Sequence, residues 1–159
     1  MTTASVSVIL DHAGRALDSL AQRYLSLARA CQTSEPTKAQ FASFLATREQ
    51  ETVDALGQYR SDAHSIALDI HIRFGEAFPY STEELEFPEH PTLDELIDVA
   101  SRTDTLLEQL SERIQVYAAS KQLFEILHSL EELVGGRRRQ LTDVLNELER
   151  YEPSPRQTH

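Results

Sequence analysis

Tryptophan is absent from the chain, and there is a single cysteine, Cys31. One thiol excludes an internal disulfide and suits a reducing compartment. Glycine is scarce while leucine and alanine dominate the apolar residues, a composition that leans helical. No apolar stretch approaches the roughly 20 residues that cross a bilayer, so no membrane partner is expected. The opening MTTASVSVILDH lacks the basic start and apolar run of a secretory signal, and the expected compartment is the cytoplasm. Cationic side chains are few: 15 Lys and Arg stand against 26 Asp and Glu, for a formal charge of -11. That balance excludes a large phosphate-binding surface, and no nucleic-acid partner is expected. Gly-rich phosphate loops, Cys-x-x-Cys pairs and Gly-x-Ser-x-Gly elbows do not occur.

What is present is helical periodicity. The length, 159 residues, suits one domain, predicted over 1–151, with a C-terminal tail, 152–159, that should fray. A first helix is predicted from about Ser5 to Gln32, with Leu10, Ala13, Leu17, Leu20, Tyr24, Leu27 and Cys31 on one stripe. Ser34 and Pro36 suit the cap and first turn of a second helix carrying Phe41, Phe44, Leu45, Ala55, Leu56 and Tyr59. Polar residues interrupt its stripe around Arg48 to Thr52. Thr92 and Glu95 form a capping box before a third helix with Leu93, Leu96, Ile97, Ala100, Leu107, Leu110, Ile114 and Tyr117. Its stripe is interrupted by Thr103 and Asp104. Ser120 is the expected cap of a fourth helix carrying Leu123, Leu127, Leu130, Val134, Leu141, Val144 and Leu148.

The segment between the second and third helices, about 61–91, is read as a long crossover. Within it Ile66, Leu68, Ile70, Ile72 and Phe74 alternate as a strand would, while Ala63, Ile66, Ala67, Ile70 and Phe74 fit a helix equally well. A strand needs a partner, none is evident, and a helical continuation of the second helix is the expectation. The fold class that follows is all-α: a four-helix bundle of two antiparallel hairpins joined by a long crossover.

The two hairpins echo each other. LDHAGRALDSL aligns with IDVASRTDTLL, pairing Asp11 with Asp98, Ala13 with Ala100 and Arg15 with Arg102; LATREQET aligns with LHSLEELV, pairing Leu45 with Leu127 and Glu49 with Glu131. This echo resembles the ferritin-like superfamily, most closely its rubrerythrin-like members. In that family Leu-Ala-x-x-Glu-x-x-His recurs in both hairpins. With one Glu from each first helix, six side chains then hold two irons. Here Leu45, Ala46 and Glu49 match, but Thr52 stands at the histidine position. Leu127 and Glu131 match, but Val134 stands at the other. The first-helix glutamate positions fall near Leu17 and at Asp104. The metal ligands the resemblance leaves are therefore Glu49, Asp104 and Glu131.

Three carboxylates without imidazoles offer too few donors for two transition-metal ions, though a hard ion keeping its waters has a weak site there. The expectation is a ferritin-like bundle that has lost its di-metal centre, with no cofactor and no catalysis. Its role would lie in interaction, assembly or regulation, as a homodimer or with a protein partner. Residues 66–74 are the expected dimer surface. The alternative is a non-haem di-iron oxidase, peroxidase or iron-handling protein with unorthodox ligands, in which Glu51, Asp18 or His128 help the three carboxylates bind iron. A third reading is a helical adaptor with incidental likeness to the family.

Three further features bear on chemistry. The literal Glu-x-x-His of Glu125 and His128 lies on the polar face of the fourth helix at about 100° per residue, together with Glu132, and is expected to face solvent. His64, His71 and His90, near Glu83, Glu84, Glu86 and Glu89, match no metal-ligand spacing and read as solvated surface. In GGRRRQL, Gly135 and Gly136 permit a kink or a close approach. Arg137, Arg138 and Arg139 fan around the helix, so at least one lies near the core. There it is expected to pair with Glu49 or Glu51, an internal ion pair standing in for a metal cation. The other reading of these arginines is a basic patch for a partner.

Overall fold

The structure is a computed structural model that describes residues 2–62, 65–74, 85–117 and 121–151. Four long helices dominate it: α1 (Val6–Cys31), α2 (Pro36–Asp62), α4 (Leu93–Val116) and α5 (Lys121–Tyr151). A single turn, α3 (Ser65–Leu68), and a two-stranded ribbon, β1 (Thr2–Ser5) and β2 (His71–Phe74), complete it. The all-α reading holds for the bundle.

Each long helix forms for the reason its periodicity gives. In α1 every residue of the expected stripe, Leu10 through Cys31, is buried, and the Ser5 hydroxyl caps the helix by accepting from the Val8 N–H. At α4 the capping box is complete: the Thr92 hydroxyl accepts from the Glu95 N–H while the Glu95 carboxylate accepts from the Thr92 N–H, each at 3.1 Å. Pro36 opens α2, so Glu35 rather than Ser34 precedes the first helical residue; its carbonyl accepts from the Ala39 N–H at 3.0 Å. The expected cap Ser120 lies outside the described residues, as does the tail beyond Tyr151.

The directions of the helices follow from contacts along their lengths. Tyr59 on α2 donates to the Ser129 carbonyl of α5, and Arg137, further along α5, meets Glu49 and Thr52, earlier on α2. These two helices are therefore antiparallel. Lys38, near the start of α2, donates to the Pro91 carbonyl just before α4, and Arg48 meets Asp104. So α2 and α4 begin at the same end of the bundle.

One expectation fails. Residues 71–74 do not continue the second helix; they are a strand. Its partner is the N-terminus, with Ala4 opposite Ile72 and Ser5 opposite His71 in an antiparallel register. The sequence Thr-Thr-Ala-Ser carries almost no strand signal. Alternation along the ribbon turns Ala4 and Ile72 inward, where both are buried. The outer N–H of Arg73 donates to the Tyr117 hydroxyl at 3.3 Å, which ties the ribbon to the end of α4. The segment expected as a dimer surface thus spends Ala67 and Ile72 on the chain's own core, with Leu68 and Ile70 packed against it. Residues 63–64 and 75–84 of the expected crossover lie outside the described residues.

The paired glycines of α5 lie inside one helix, and among the described residues no neighbouring helix approaches them closely. A Cβ on Gly136 would meet only the flexible end of Arg139, at 3.9 Å, and neither glycine has positive φ. Nothing in the fold requires glycine there. Gly136→Ala is therefore expected to stabilise the protein by about 0.5–1 kcal/mol, through helix propensity alone. Urea denaturation of the two proteins measures it.

Candidate functional site: a buried charge cluster

Three of the helical stripes break at the same level of the bundle, and the breaks meet. From α2 come Arg48, Glu49 and Thr52; from α4, Thr103 and Asp104; from α5, Arg137. All six are at most 2% exposed. Each lies in phase with the apolar residues of its helix. Leu45, Arg48, Thr52 and Leu56 step by threes and fours on α2, as do Val134, Arg137 and Leu141 on α5; on α4, Thr103 and Asp104 each lie three or four residues from both Ala100 and Leu107.

Arg137 is the hub. Its Nε donates to Asp104 Oδ1 at 2.8 Å, Nη1 donates to the Thr52 hydroxyl at 2.6 Å, and Nη2 donates to Glu49 Oε2 at 3.2 Å. Nη1 also lies 2.6 Å from Glu49 Oε1, so both oxygens of Glu49 face the guanidinium. Arg48 supports the same pair of carboxylates from the other side. Its Nη1 donates to Asp104 Oδ2 at 3.0 Å and to the Arg137 carbonyl at 3.4 Å, and Nη2 donates to the Ala100 carbonyl at 3.4 Å. Two guanidiniums thus face two carboxylates, and the cluster is formally neutral. The threonines close their own donors locally: Thr52 onto the Arg48 carbonyl and Thr103 onto the Val99 carbonyl.

The electrostatics follow from burial and neighbours. Burial is the largest influence on Arg137 and lowers its pKa, but Glu49 and Asp104 together outweigh it and hold the group above the ordinary arginine value. Arg48 is lowered, first by burial and then by the like charge of Arg137, with Glu49 and Asp104 offsetting only part. The difference matches the distances, because Arg137 holds both carboxylates more closely. Arginine remains charged under either influence. The buried Tyr24 phenol of α1 is pushed well up, first by burial and then by the negative charge of Glu49.

The residues expected to ligate metal are divided. Glu49 and Asp104 come together, but through Arg137, which bridges them. Glu131 is exposed on α5 and does not join them, and Asp18, Glu51 and His128 are also exposed. Among the described residues no group of three or more His, Cys, Asp or Glu is placed to hold a metal ion. The expected arginine pairing is present: Arg137 is the inward member and its partner is Glu49, while Arg138 and Arg139 are exposed. Glu125, His128 and Glu132 face solvent as expected, with His128 and Glu132 3.1 Å apart on the surface. Of the crossover residues, His71, His90, Glu86 and Glu89 are exposed, and His64, Glu83 and Glu84 lie outside the described residues.

Sequence reasoning missed Arg48. The signal was present, because Arg48 sits three residues after Leu45 on the core stripe, but a polar interruption reads by default as a surface crossing.

A cleft of about 690 Å³ lies away from the cluster, between α1 and residues 87–90. Its cations are already engaged. Arg23 donates to the Phe87 carbonyl at 3.0 Å and lies 4.3 Å over the Phe87 ring, and Lys38 holds Glu35 at 2.7 Å. Cys31 borders the cleft as a buried thiol whose Sγ lies 3.8 Å from Glu35 Oε2. A smaller groove of about 320 Å³ between α2 and α5 is floored by Arg48, Thr52 and Arg137 and rimmed by Glu51 and Glu132.

Comparison of the chain with family models, with curated proteins and with solved structures finds no match.

Removing one partner from a buried ion pair strands the other, at a cost of about 3–5 kcal/mol. Arg137→Met is expected to lose stability of that order in urea denaturation, and adding Glu49→Gln is expected to cost less than the two changes summed.

The raised Tyr24 phenol gives a second expectation. The folded state keeps its proton where the unfolded chain, titrating near 10, gives it up. The unfolded state therefore binds fewer protons above about pH 10, and stability falls there with a slope of about 1.4 kcal/mol per pH unit. Urea midpoints from pH 8 to 11 should show that decline, and Tyr24→Phe should lose this component of it.

Proposed function

We propose that the protein is a ferritin-like bundle of rubrerythrin-like descent in which an internal arginine replaces the di-metal centre, and that it acts through interaction, assembly or regulation rather than catalysis. The observation that carries this reading is the position of Arg137. It bridges Glu49, the residue aligned with a family ligand on the second helix, and Asp104, the residue aligned with a first-helix ligand on the third. The shared starting end of α2 and α4 also supports it. A chain leaving α2 at one end and starting α4 at the other must run the length of the bundle, as the ferritin-like crossover does.

The chemistry of the donor set argues in the same direction. A divalent ion here would have to displace a guanidinium that already satisfies both carboxylates and Thr52. It would gain no imidazole in return, since Thr52 and Val134 stand where the family has histidines. The displaced Arg137 would need a new partner, and the rim it would swing toward carries Glu51 and Glu132. That route is the specific basis for the second reading, iron handling with unorthodox ligands, in which Arg137 acts as a removable plug.

A metal titration separates the two. Protein purified without an affinity tag is expected to carry no stoichiometric iron or manganese by elemental analysis. Addition of ferrous iron in air should produce no ligand-to-metal absorption in the near ultraviolet. Two irons per chain, with such absorption, would establish the second reading and overturn the first.

A further inference from the structure

Among the described residues one cation is held partly out of solvent without an acid beside it. Arg23 is half-buried on α1 and enters no ion pair, whereas every other arginine or lysine that lacks an acidic partner is exposed. What holds Arg23 is neutral. Its Nη2 donates to the Phe87 carbonyl at 3.0 Å, and its guanidinium lies 4.3 Å over the Phe87 ring. Neither contact cancels the charge, and the rest of the guanidinium fork is uncommitted among the described residues. The group is also set in place, because Phe87 is itself stacked on the buried Tyr24 with ring centroids 5.4 Å apart.

Arg23 stands where two cavities meet. The cleft of about 690 Å³ between α1 and residues 87–90, and a neighbour of about 290 Å³ bordered by Leu85 and Glu86, share Ser19 and Arg23 in their walls. Small-molecule sites typically enclose about 300–1,000 Å³, which includes the larger of the two. In it α1 presents Ser19 and Ser26 beside Leu27 and Ala30, and Pro88 stands across from them. An occupant meets one cation, two hydroxyls and a short apolar wall. Lys38 and Glu35 line the same cleft but neutralise each other at 2.7 Å. Glu86 and Glu89 are exposed on the rims, and neither pairs with Arg23. Those rim carboxylates, on a chain of net charge -11, oppose a multiply charged anion. A phosphate monoester brings about −1.5 to −2 at neutral pH. A carboxylate brings a single charge and matches the planar guanidinium with two parallel hydrogen bonds.

We propose that the cleft beside Arg23 binds a small organic monocarboxylate. The Arg23 guanidinium holds the carboxylate, and Leu27, Ala30 and Pro88 hold a short body whose polar groups face the serines of α1. Occupation ties α1 to residues 85–91, the segment that leads into α4, so the ligand stabilises the fold as it binds. The site is separate from the Arg137 cluster and does not rest on descent from any family.

The test titrates the full chain at neutral pH and constant ionic strength with butyrate, 2-hydroxybutyrate and benzoate. Butyramide, benzamide, chloride and phosphate are the controls. In nitrogen-15 spectra the Arg23 Nε–H and the backbone amides around it on α1 should shift and saturate with at least one carboxylate, and the thermal midpoint should rise with it. The matching amide should bind about tenfold more weakly or worse, the loss expected when a charge-assisted pair is removed. Arg23→Gln should abolish the saturable shift of the α1 amides. Because that change also frees Phe87, Ser26→Phe is the second variant: Ser26 is exposed on the cleft wall, so a ring there fills the space and leaves Arg23 on Phe87. It should block binding with an unchanged circular dichroism spectrum. No saturable shift from any of the three carboxylates overturns the proposal. So do equal shifts from chloride, tighter binding of phosphate, or undiminished binding by Ser26→Phe. None of these results bears on the iron titration, which tests the proposed function separately.

Discussion

The bridge from Arg137 to Glu49 and Asp104 is the contact on which the centre of this bundle depends. A carboxylate moved from water into a protein interior carries a penalty of several kcal/mol unless an opposite charge and directed hydrogen bonds accompany it. Here two carboxylates are buried at the middle of a helical core, on different helices, and each is met by Arg137 at under 3 Å. Arg48 neutralises the remaining half of the pair and ties its guanidinium to two backbone carbonyls. Either arginine alone would leave a net buried negative charge. Together they make the layer neutral, which is the condition for the apolar layers on either side of it, Leu45, Ala100 and Leu141 on one and Leu56, Leu107 and Val134 on the other, to pack at ordinary density.

On the proposed reading an arginine stands where relatives hold metal, and that has consequences beyond stability. A bound ion is set by supply and by competing ligands, and it leaves the site open to exchange. A guanidinium belongs to the chain and is present in every folded molecule. It cannot change oxidation state and has no open coordination position, so a site filled by it has no redox chemistry to offer. On the proposed reading the ferritin-like frame is retained for its shape, and the fixed polar layer keeps the helices in one register, since three helices must align for the donors and acceptors to meet.

Much of this was legible in the sequence. The four apolar stripes, the Thr92 capping box and the start of α1 follow from periodicity and capping chemistry, because those features are local. The inward arginine was legible too: three consecutive arginines cannot all avoid the core side of a helix, and a buried one requires an acid. Which acid it meets, and that Arg48 joins it, depends on the relative rotation and axial offset of three helices. Each helix shows only its own gap, at Arg48 to Thr52, at Thr103 and Asp104, and at Arg137. Their common level is a tertiary fact. The ribbon failed for a different reason. Strand pairing is non-local, and Thr2–Ser5 has neither the length nor the β-branched and aromatic content that would announce a partner for Ile72. Glu131 matched by alignment to Glu49 but faces solvent, which shows that the echo between hairpins does not extend to the centre of the bundle.

The most direct measurement is anomalous diffraction at the iron absorption edge, from crystals grown with excess ferrous iron under anaerobic conditions. The account predicts no anomalous peak between α2, α4 and α5, and continuous guanidinium density joining Glu49 to Asp104. A peak within coordination distance of those two carboxylates, with Arg137 swung out toward Glu51 and Glu132, would contradict it.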